Sequence, residues 1–341
     1  MHLERRSLLL GAGALLLAGC SRSTPGQAAT IPRMSVDLAL WRAFKAAHLA
    51  ADGRIVDSGN AGISHTEGQG YGMLIAEAAG DRAAFDSIHA WTEKTLARAD
   101  DALFSWRYAP NEPVRISDPN NATDGDILIA WALMRAGDRW REPHLLERSA
   151  QIRAAIAEHC IRRQGERTLL LPGAIGYDRA DRTTINLSYY IWPALDQFRK
   201  AGQEPVWAAL IRDGEKLLDQ ARIGSSALPT DWTDVMADGK VMVAADKPPR
   251  FGFDAVRIPL YLVLGGRAAK ASAIATYWRS FLDKGLPVPA WTDVVTGEAA
   301  PYPLSTGGYA IVARVLKRPA TPSPAPVDYY SRILSLLASL R

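Results

Sequence analysis

Three short acidic motifs stand out in this chain of 341 residues, because each places a carboxylate among glycines or apolar residues. Glu67 lies in TEGQGYGM, Asp124 in ATDGD, and Asp254 in FDAVR, which also contains Arg257. A proton-donating carboxyl group and a proton-accepting carboxylate are common partners in hydrolysis. Each motif also has a structural explanation, because acidic residues favour helix N-termini and Asp254 can pair with Arg257 three residues on.

Aromatic residues accompany these motifs. The chain has ten Trp and eleven Tyr, and several lie in predicted loops or at loop–helix junctions, among them Trp106, Tyr189, Tyr190 and Trp232. Each one alone is compatible with a core position, but the group beside Asp and Asn residues indicates a groove for the flat faces of sugar rings. Long loops in a compact domain often carry function, and the predicted ones are 51–67, 100–123, 163–186, 222–253 and 285–305.

Composition excludes several function classes. The 40 Lys and Arg are interspersed with 36 Asp and Glu, so the net charge of +4 predicts no nucleic-acid groove. The six His show no pairing at metal-ligand spacing, and neither a phosphate-binding loop nor a G-x-S-x-G nucleophile motif occurs. We therefore expect an enzyme that needs no metal and no cofactor.

The N-terminus resembles an export signal. Residues 1–20 combine Arg5 and Arg6 with an apolar run too short to span a bilayer comfortably, and end in the lipobox-like Leu-Ala-Gly-Cys. This pattern predicts lipidation of Cys20, with a plain secretion signal as the alternative, and the adjacent arginines also suit twin-arginine export. Residues 21–33 are expected to form a flexible tether, so that any membrane contact is through the lipid alone.

The rest of the chain has helical periodicity, with apolar residues recurring every three or four positions. This predicts one all-α domain over residues 34–341, with only a short hairpin near 240–244 as β structure. Asp81, Thr123 and Ser305 are expected to cap helices. The predicted helices are 36–50, 68–79, 81–97, 124–136, 142–162, 187–201, 204–221, 254–264, 268–284, 306–316 and 327–340.

The three motifs together resemble glycoside hydrolase family 8, and among its members the periplasmic endoglucanases that accompany bacterial cellulose synthases. The resemblance covers roughly residues 34–316, and the most specific match is TEGQGYGM, where the family typically has S-E-G-Q-(S/G)-Y-G-M. It implies an (α/α)6 barrel whose long loops form a cleft on one face. It also implies hydrolysis of β-1,4-glucans with inversion, in which Glu67 is the general acid, Asp254 the general base, and Asp124 binds and distorts the sugar at the −1 subsite.

Further roles follow from the same resemblance. It assigns Tyr190 to the −1 sugar, with Tyr189 competing for that role, and makes Trp106 and Trp232 stacking platforms. Arg257 is expected to hold the carboxylates. Two departures from the family pattern are Thr66 in place of Ser, which keeps the hydroxyl group, and Phe253 where many members have Tyr, which loses one.

The assigned chemistry sets two conditions on the fold. Inversion needs carboxyl groups about 6.5–9.5 Å apart, with room for a water molecule, although Glu67 and Asp254 are distant in sequence. The helix dipole also favours the anionic form of Glu67. We expect repulsion from Asp124 and desolvation by aromatic walls and sugar to keep Glu67 protonated, and Arg257 to keep Asp254 ionised.

Other functions are also compatible with the sequence. The same fold could cleave chitosan or xylan, but a chitosanase should carry extra carboxylates, and the 222–253 loop adds only Asp231, Asp234, Asp238 and Asp246. A non-catalytic glucan-binding protein would need neither an acid nor a base. The resemblance also suggests trimming of cellulose beside the synthase complex, while the final helix at 327–340 could pack on the barrel or recruit a partner.

Overall fold

The computed structural model describes residues 31–202 and 205–341, so the predicted signal peptide and Cys20 lie outside the described residues. No helix in these two ranges is long and apolar enough to cross a membrane. Helices dominate the described part, which contains α1 Leu38–His48, α2 Thr66–Ala79, α3 Arg82–Leu96, α4 Thr123–Trp140, α5 Pro143–His159, α6 Trp192–Ala201, α7 Val206–Gln220, α8 Ile258–Leu264, α9 Ser272–Leu282, α10 Thr306–Leu316 and α11 Tyr329–Ser339.

All eleven helices coincide with predicted ones, and local capping explains several of their starts. The side chains of Asp81 and Ser305 accept backbone N–H bonds at the N-termini of α3 and α10. Thr123 does not cap α4, because it is the first helical residue and the capping position belongs to Ala122. Helix α8 begins at Ile258 rather than near 254, since residues 255–257 form a single 3₁₀ turn.

The loops contain more β structure than the predicted hairpin. Among the described residues, nine short strands form antiparallel pairs and one three-stranded sheet. The predicted hairpin is present in that sheet, as segments 233–236 and 241–243, and segment 182–185 adds to it as a further strand. Each strand is too short to show an alternation of apolar and polar residues, and most of them pair with segments far away in the chain, so the sequence does not reveal them. The strands are β1 Ser64–His65, β2 Arg107–Tyr108, β3 Ile161–Gln164, β4 Arg167–Leu170, β5 Arg182–Ile185, β6 Thr233–Met236, β7 Val241–Val243, β8 Arg250–Phe251 and β9 Thr292–Asp293.

Glycines bring α2 and α4 into close contact. A Cβ atom at Gly70 would lie 2.5 Å from the Cβ of Leu128, and one at Gly125 would lie 2.8 Å from the backbone N of Glu67. Neither position could hold a larger residue without moving a helix. The glycine-rich TEGQGYGM segment therefore tolerates its lower helix propensity because it allows the starts of α2 and α4 to meet.

The two ends of the described chain lie side by side. Ser35 and Arg341 exchange backbone hydrogen bonds of 3.0 Å each, and α11 packs against α10 where Gly307 N donates to Ser331 Oγ. The last helix therefore packs on the domain. Residues 31–33, which were predicted to belong to the tether, contact the domain, since the backbone N–H of Ile31 donates to the Asp138 carboxylate at 3.3 Å.

Candidate active site

Glu67 lies in the first turn of α2, and the side chains around it are ordered by hydrogen bonds. His65 caps the helix by accepting the Gly68 N–H at Nδ1, 3.0 Å away. The Tyr71 hydroxyl, one turn further on, donates to Glu67 Oε1 at 3.3 Å and accepts in turn from the Tyr261 hydroxyl at 2.6 Å. The hydroxyls of these two buried tyrosines therefore hold the Glu67 carboxyl in place.

Asp124 occupies the corresponding position in α4. Its Oδ1 accepts the N–H of Gly125 at 2.8 Å, and the residue is only 5% exposed. The close contact between the starts of α2 and α4 places it beside Glu67. Two carboxyl groups thus come from the first turns of two packed helices.

Asp254 comes from a distant part of the chain, and Arg257 links its carboxylate to that of Glu67. Arg257 Nη1 donates to Glu67 Oε1, while Nη2 donates to Asp254 Oδ1 at 2.8 Å and to Ser188 Oγ at 3.0 Å. The guanidinium is 3% exposed. One buried arginine therefore binds the two carboxylates that stand furthest apart in sequence, which an isolated intrahelical ion pair would not do.

The electrostatics follow from burying three carboxyl groups around one cation. Burial and the charge of Glu67 raise the pKa of Asp124 well above its usual range, with Arg257 acting in the opposite direction. Burial also raises the pKa of Asp254, although Arg257 lowers it. One guanidinium cannot neutralise three carboxylates, so the cluster favours retention of a proton at a pH where free carboxyl groups are ionised.

A cavity of about 210 Å³ opens above this cluster. Carboxyl groups and aromatic side chains line it, and these are the groups that hydrolysis of a glycosidic bond would need. Its lining consists of Asn60, Ile63, His65, Thr66, Glu67, Trp106, Ala122, Asp124, Tyr189 and Asp254. The structure thus brings Glu67, Asp124 and Asp254 to one cavity.

Tyr190 does not line this cavity, which corrects its assignment to the sugar. It is fully buried, its hydroxyl accepts the Leu170 N–H at 3.0 Å, and its ring packs against Trp192. Its neighbour Tyr189 faces the cavity instead. A single 3₁₀ turn at 187–189 decides between them, and adjacent tyrosines in sequence could not reveal which side chain turns inward.

The two predicted tryptophan platforms differ in position. Trp106 lines the cavity, and its Nε1 donates to Asp118 at 2.8 Å. Trp232 does not line the cavity but contacts Tyr189, which does, at 62° between the ring planes, and it stacks parallel to Tyr177 at 6.0 Å between centroids. The two tryptophans thus stand at different distances from the carboxyl cluster.

Sequence reasoning missed two residues that hold the segment bearing Asp254. In the sequence, Asp231 is only one acidic residue of a predicted loop. In the structure its Oδ1 accepts the N–H groups of Gly252, Asp254 and Ala255. Tyr330, on α11, donates its hydroxyl to the carbonyl of Phe253. No local pattern marks either residue, because both act on a backbone distant in sequence.

Comparison with known proteins identifies the family. The family model for glycosyl hydrolases family 8 matches residues 18–341. An endoglucanase of Cellulomonas uda is 40% identical over 291 residues, covering 85% of this chain and 80% of its own length. A probable endoglucanase of Novacetimonas hansenii is 39% identical, covering 87% and 88%.

A solved structure agrees with these sequence matches. The crystal structure of endoglucanase Cel10 from Klebsiella pneumoniae, a family 8 glycosyl hydrolase, superposes with a TM-score of 0.84 at 40% identity, covering 88% of this chain and 97% of that one. The chain therefore belongs to glycosyl hydrolase family 8, and it is a glycoside hydrolase. The family resemblance read from the three acidic motifs is confirmed.

Proposed function

We propose that the chain is an endo-β-1,4-glucanase that cleaves cellulose or a related β-glucan with inversion, on an (α/α)6 barrel. The observation that carries the proposal is the Arg257 guanidinium, which binds both Glu67 and Asp254 at the edge of one cavity. The named activity of the relatives, endoglucanase, supports the same substrate class.

In this proposal Glu67 and Asp254 divide the proton transfers. Glu67 donates its proton to the glycosidic oxygen as the bond to the anomeric carbon breaks. Asp254 accepts a proton from the water that attacks the opposite face of that carbon, so one proton is supplied and one is taken up.

The remaining site residues bind the substrate. Asp124, with its raised pKa, can donate a hydrogen bond to a hydroxyl of the −1 sugar as well as accept one. Tyr189 takes the place in the cleft that was expected for Tyr190. Trp106 stacks on a sugar next to the reacting one, Trp232 on a sugar further along, and no step needs a cofactor.

We further propose a setting in which a bacterium exports the protein. The N-terminal pattern supports cleavage before Cys20 and attachment of lipid to it, or secretion without lipid. A periplasmic enzyme anchored in this way would meet nascent cellulose, and trimming of the chain beside a cellulose synthase complex is the proposed role. Labelling with a radioactive fatty acid in wild-type and Cys20→Ala cells tests the anchor.

The decisive experiment is a proton NMR time course with a soluble cellooligosaccharide. The product should appear first as the α-anomer, because inversion at a β-linkage gives α. Glu67→Gln and Asp254→Asn should each lower kcat about 10²–10⁴-fold, while Asp213→Asn, which alters a buried carboxylate on α7, should not. A β-anomer or an active Asp254→Asn variant would contradict the mechanism, and faster cleavage of chitosan or xylan would contradict the substrate.

A further inference from the structure

The backbone segment that presents Asp254 is held by a single carboxylate oxygen. We call residues 252–255 the base-bearing turn. Asp231 Oδ1 accepts three N–H groups of this turn, from Gly252 at 3.0 Å, Asp254 at 3.1 Å and Ala255 at 2.8 Å. These distances are normal for N–H···O bonds, so one side chain satisfies most of the donors of the turn.

Asp231 is itself held against the strand that leads into the turn. Its backbone N–H donates to the Arg250 carbonyl at 2.7 Å. Its second oxygen lies over Gly252, where a Cβ atom would come within 2.6 Å of Oδ2. The carboxylate therefore fits between β8 and the turn with no space for a larger residue at 252.

The opposite side of the turn is also fixed by a side chain. The carbonyl of Phe253 points the other way and accepts the hydroxyl of Tyr330, which comes from α11. Asp231 thus binds the N–H groups of the turn and Tyr330 binds a carbonyl between them. Helix α8 begins only at Ile258, and the N–H of Asp254 bonds to the Asp231 side chain rather than to a carbonyl of a preceding helical turn.

We propose that Asp231 is a positioning residue for the reaction: together with Tyr330 it holds the base-bearing turn so that the Asp254 carboxylate faces the water it activates. This rests on the proposed role of Asp254 as general base. A displacement of about 1 Å in a catalytic group can cost about 10²-fold in rate. The carbonyls of Gly252 and Asp254 accept backbone N–H groups from Val256 and Arg257, but the N–H groups of the turn depend on Asp231. Removal of this anchor would therefore allow such a displacement.

The chemistry of the anchor indicates how to test it. Burial and the charge of Asp254 raise the pKa of Asp231 to about 7, while the three backbone N–H groups act in the opposite direction. Oδ1 remains a hydrogen-bond acceptor whether or not the group carries a proton. An asparagine side chain also offers one carbonyl oxygen, so it can replace the acceptor, whereas alanine cannot.

The experiment compares Asp231→Ala with Asp231→Asn on a soluble β-glucan. Asp231→Ala should lower kcat about 10²-fold with KM within about twofold, since substrate still binds while the base is displaced. Asp231→Asn should restore kcat to within about fivefold of wild type. The matched control is Asp213→Ala, which removes another buried carboxylate that accepts a backbone N–H, from Thr168, and it should leave kcat unchanged.

Two outcomes would overturn the proposal. One is an Asp231→Ala variant with wild-type kcat, and the other is an Asp231→Asn variant as inactive as Asp231→Ala. If Asp231→Ala does not fold, Tyr330→Phe is the deciding variant, because it removes only the hydroxyl on the other side of the turn. It should lower kcat about threefold to tenfold, again with unchanged KM. Wild-type kcat in Tyr330→Phe would refute the role of the turn. Asp254→Asn is measured in parallel, since activity in that variant would refute the general base rather than the positioning role.

Discussion

The side of the cavity that carries Glu67, the proposed general acid, and the side that carries Asp254, the proposed general base, are built in different ways. We call them the acid side and the base side. Glu67 and Asp124 lie in the first turns of α2 and α4, and these helices meet through Gly70 and Gly125. Asp254 lies in a turn outside any long helix and depends on side chains from a distant loop and from the C-terminal helix. The backbone of the acid side is therefore positioned by helix packing, although tyrosine hydroxyls orient the Glu67 carboxyl, whereas the backbone of the base side is positioned by individual side-chain hydrogen bonds.

This difference explains which residues could be found from sequence. Helix packing leaves a local pattern, since glycines must recur on the face that contacts the neighbouring helix. The hydrogen bonds that Asp231 accepts from a turn more than twenty residues away leave no such pattern. The two sides should also respond differently to substitution: the acid side to changes of volume, and the base side to loss of single polar groups.

The largest effect is expected where the two sides meet. Arg257→Lys keeps the positive charge but cannot bind Glu67 and Asp254 together, because an ammonium lacks the planar fork of a guanidinium. We expect kcat to fall at least about 10²-fold and the free energy of unfolding to fall by about 3 kcal/mol, as for other broken buried ion pairs. Steady-state kinetics and urea unfolding measure the two effects. Unchanged kcat would mean that the two sides work independently.

A change of volume on the acid side should have a smaller effect. Gly70→Ala places a methyl group 2.5 Å from the Cβ of Leu128, which should cost about 1–3 kcal/mol of stability and, by moving α2 relative to α4, about tenfold in kcat.

Gly137→Ala is the matched control for that variant. Gly137 lies near the C-terminal end of α4, and a Cβ atom there would lie 2.7 Å from the side chain of Leu146 on α5. Because the Leu146 side chain is exposed and can move away, we expect a smaller loss of stability, measured by thermal unfolding, with wild-type kcat. Equal losses of kcat in both variants would show that the contact between α2 and α4 has no special role at the site.

The smallest effect concerns the charge state of the base. Because burial raises the pKa of Asp254 above its usual value of 3.8, the ionised form is lost at a higher pH than for a free aspartate. The acid limb of kcat/KM should therefore lie above about pH 4. A pH–rate profile from pH 3 to 8 measures it, with circular dichroism at each pH as the control for unfolding. A limb at or below the ordinary value would contradict the buried base.

Local pattern was sufficient for the helices and for the acidic motifs. All eleven described helices and the roles of Asp81 and Ser305 as caps were predicted, because periodicity and capping act over a few residues. The hairpin near 240–244 was also predicted, but the other strands, the start of α8 and the choice between Tyr189 and Tyr190 were not. Each depends on pairing or packing with a segment far away in the chain.

The amino-acid sequence alone determined the family, the helical framework and the three acidic residues at the cleft, since these are expressed in short motifs and apolar spacing. Only the tertiary structure decided that Tyr189 rather than Tyr190 faces the cavity, and that a loop aspartate and the last helix hold the turn that carries Asp254. The physical reason is range: helix propensity and capping are set by near neighbours, whereas the hydrogen bonds of a turn and the burial of a charge depend on which distant segments the fold brings against them.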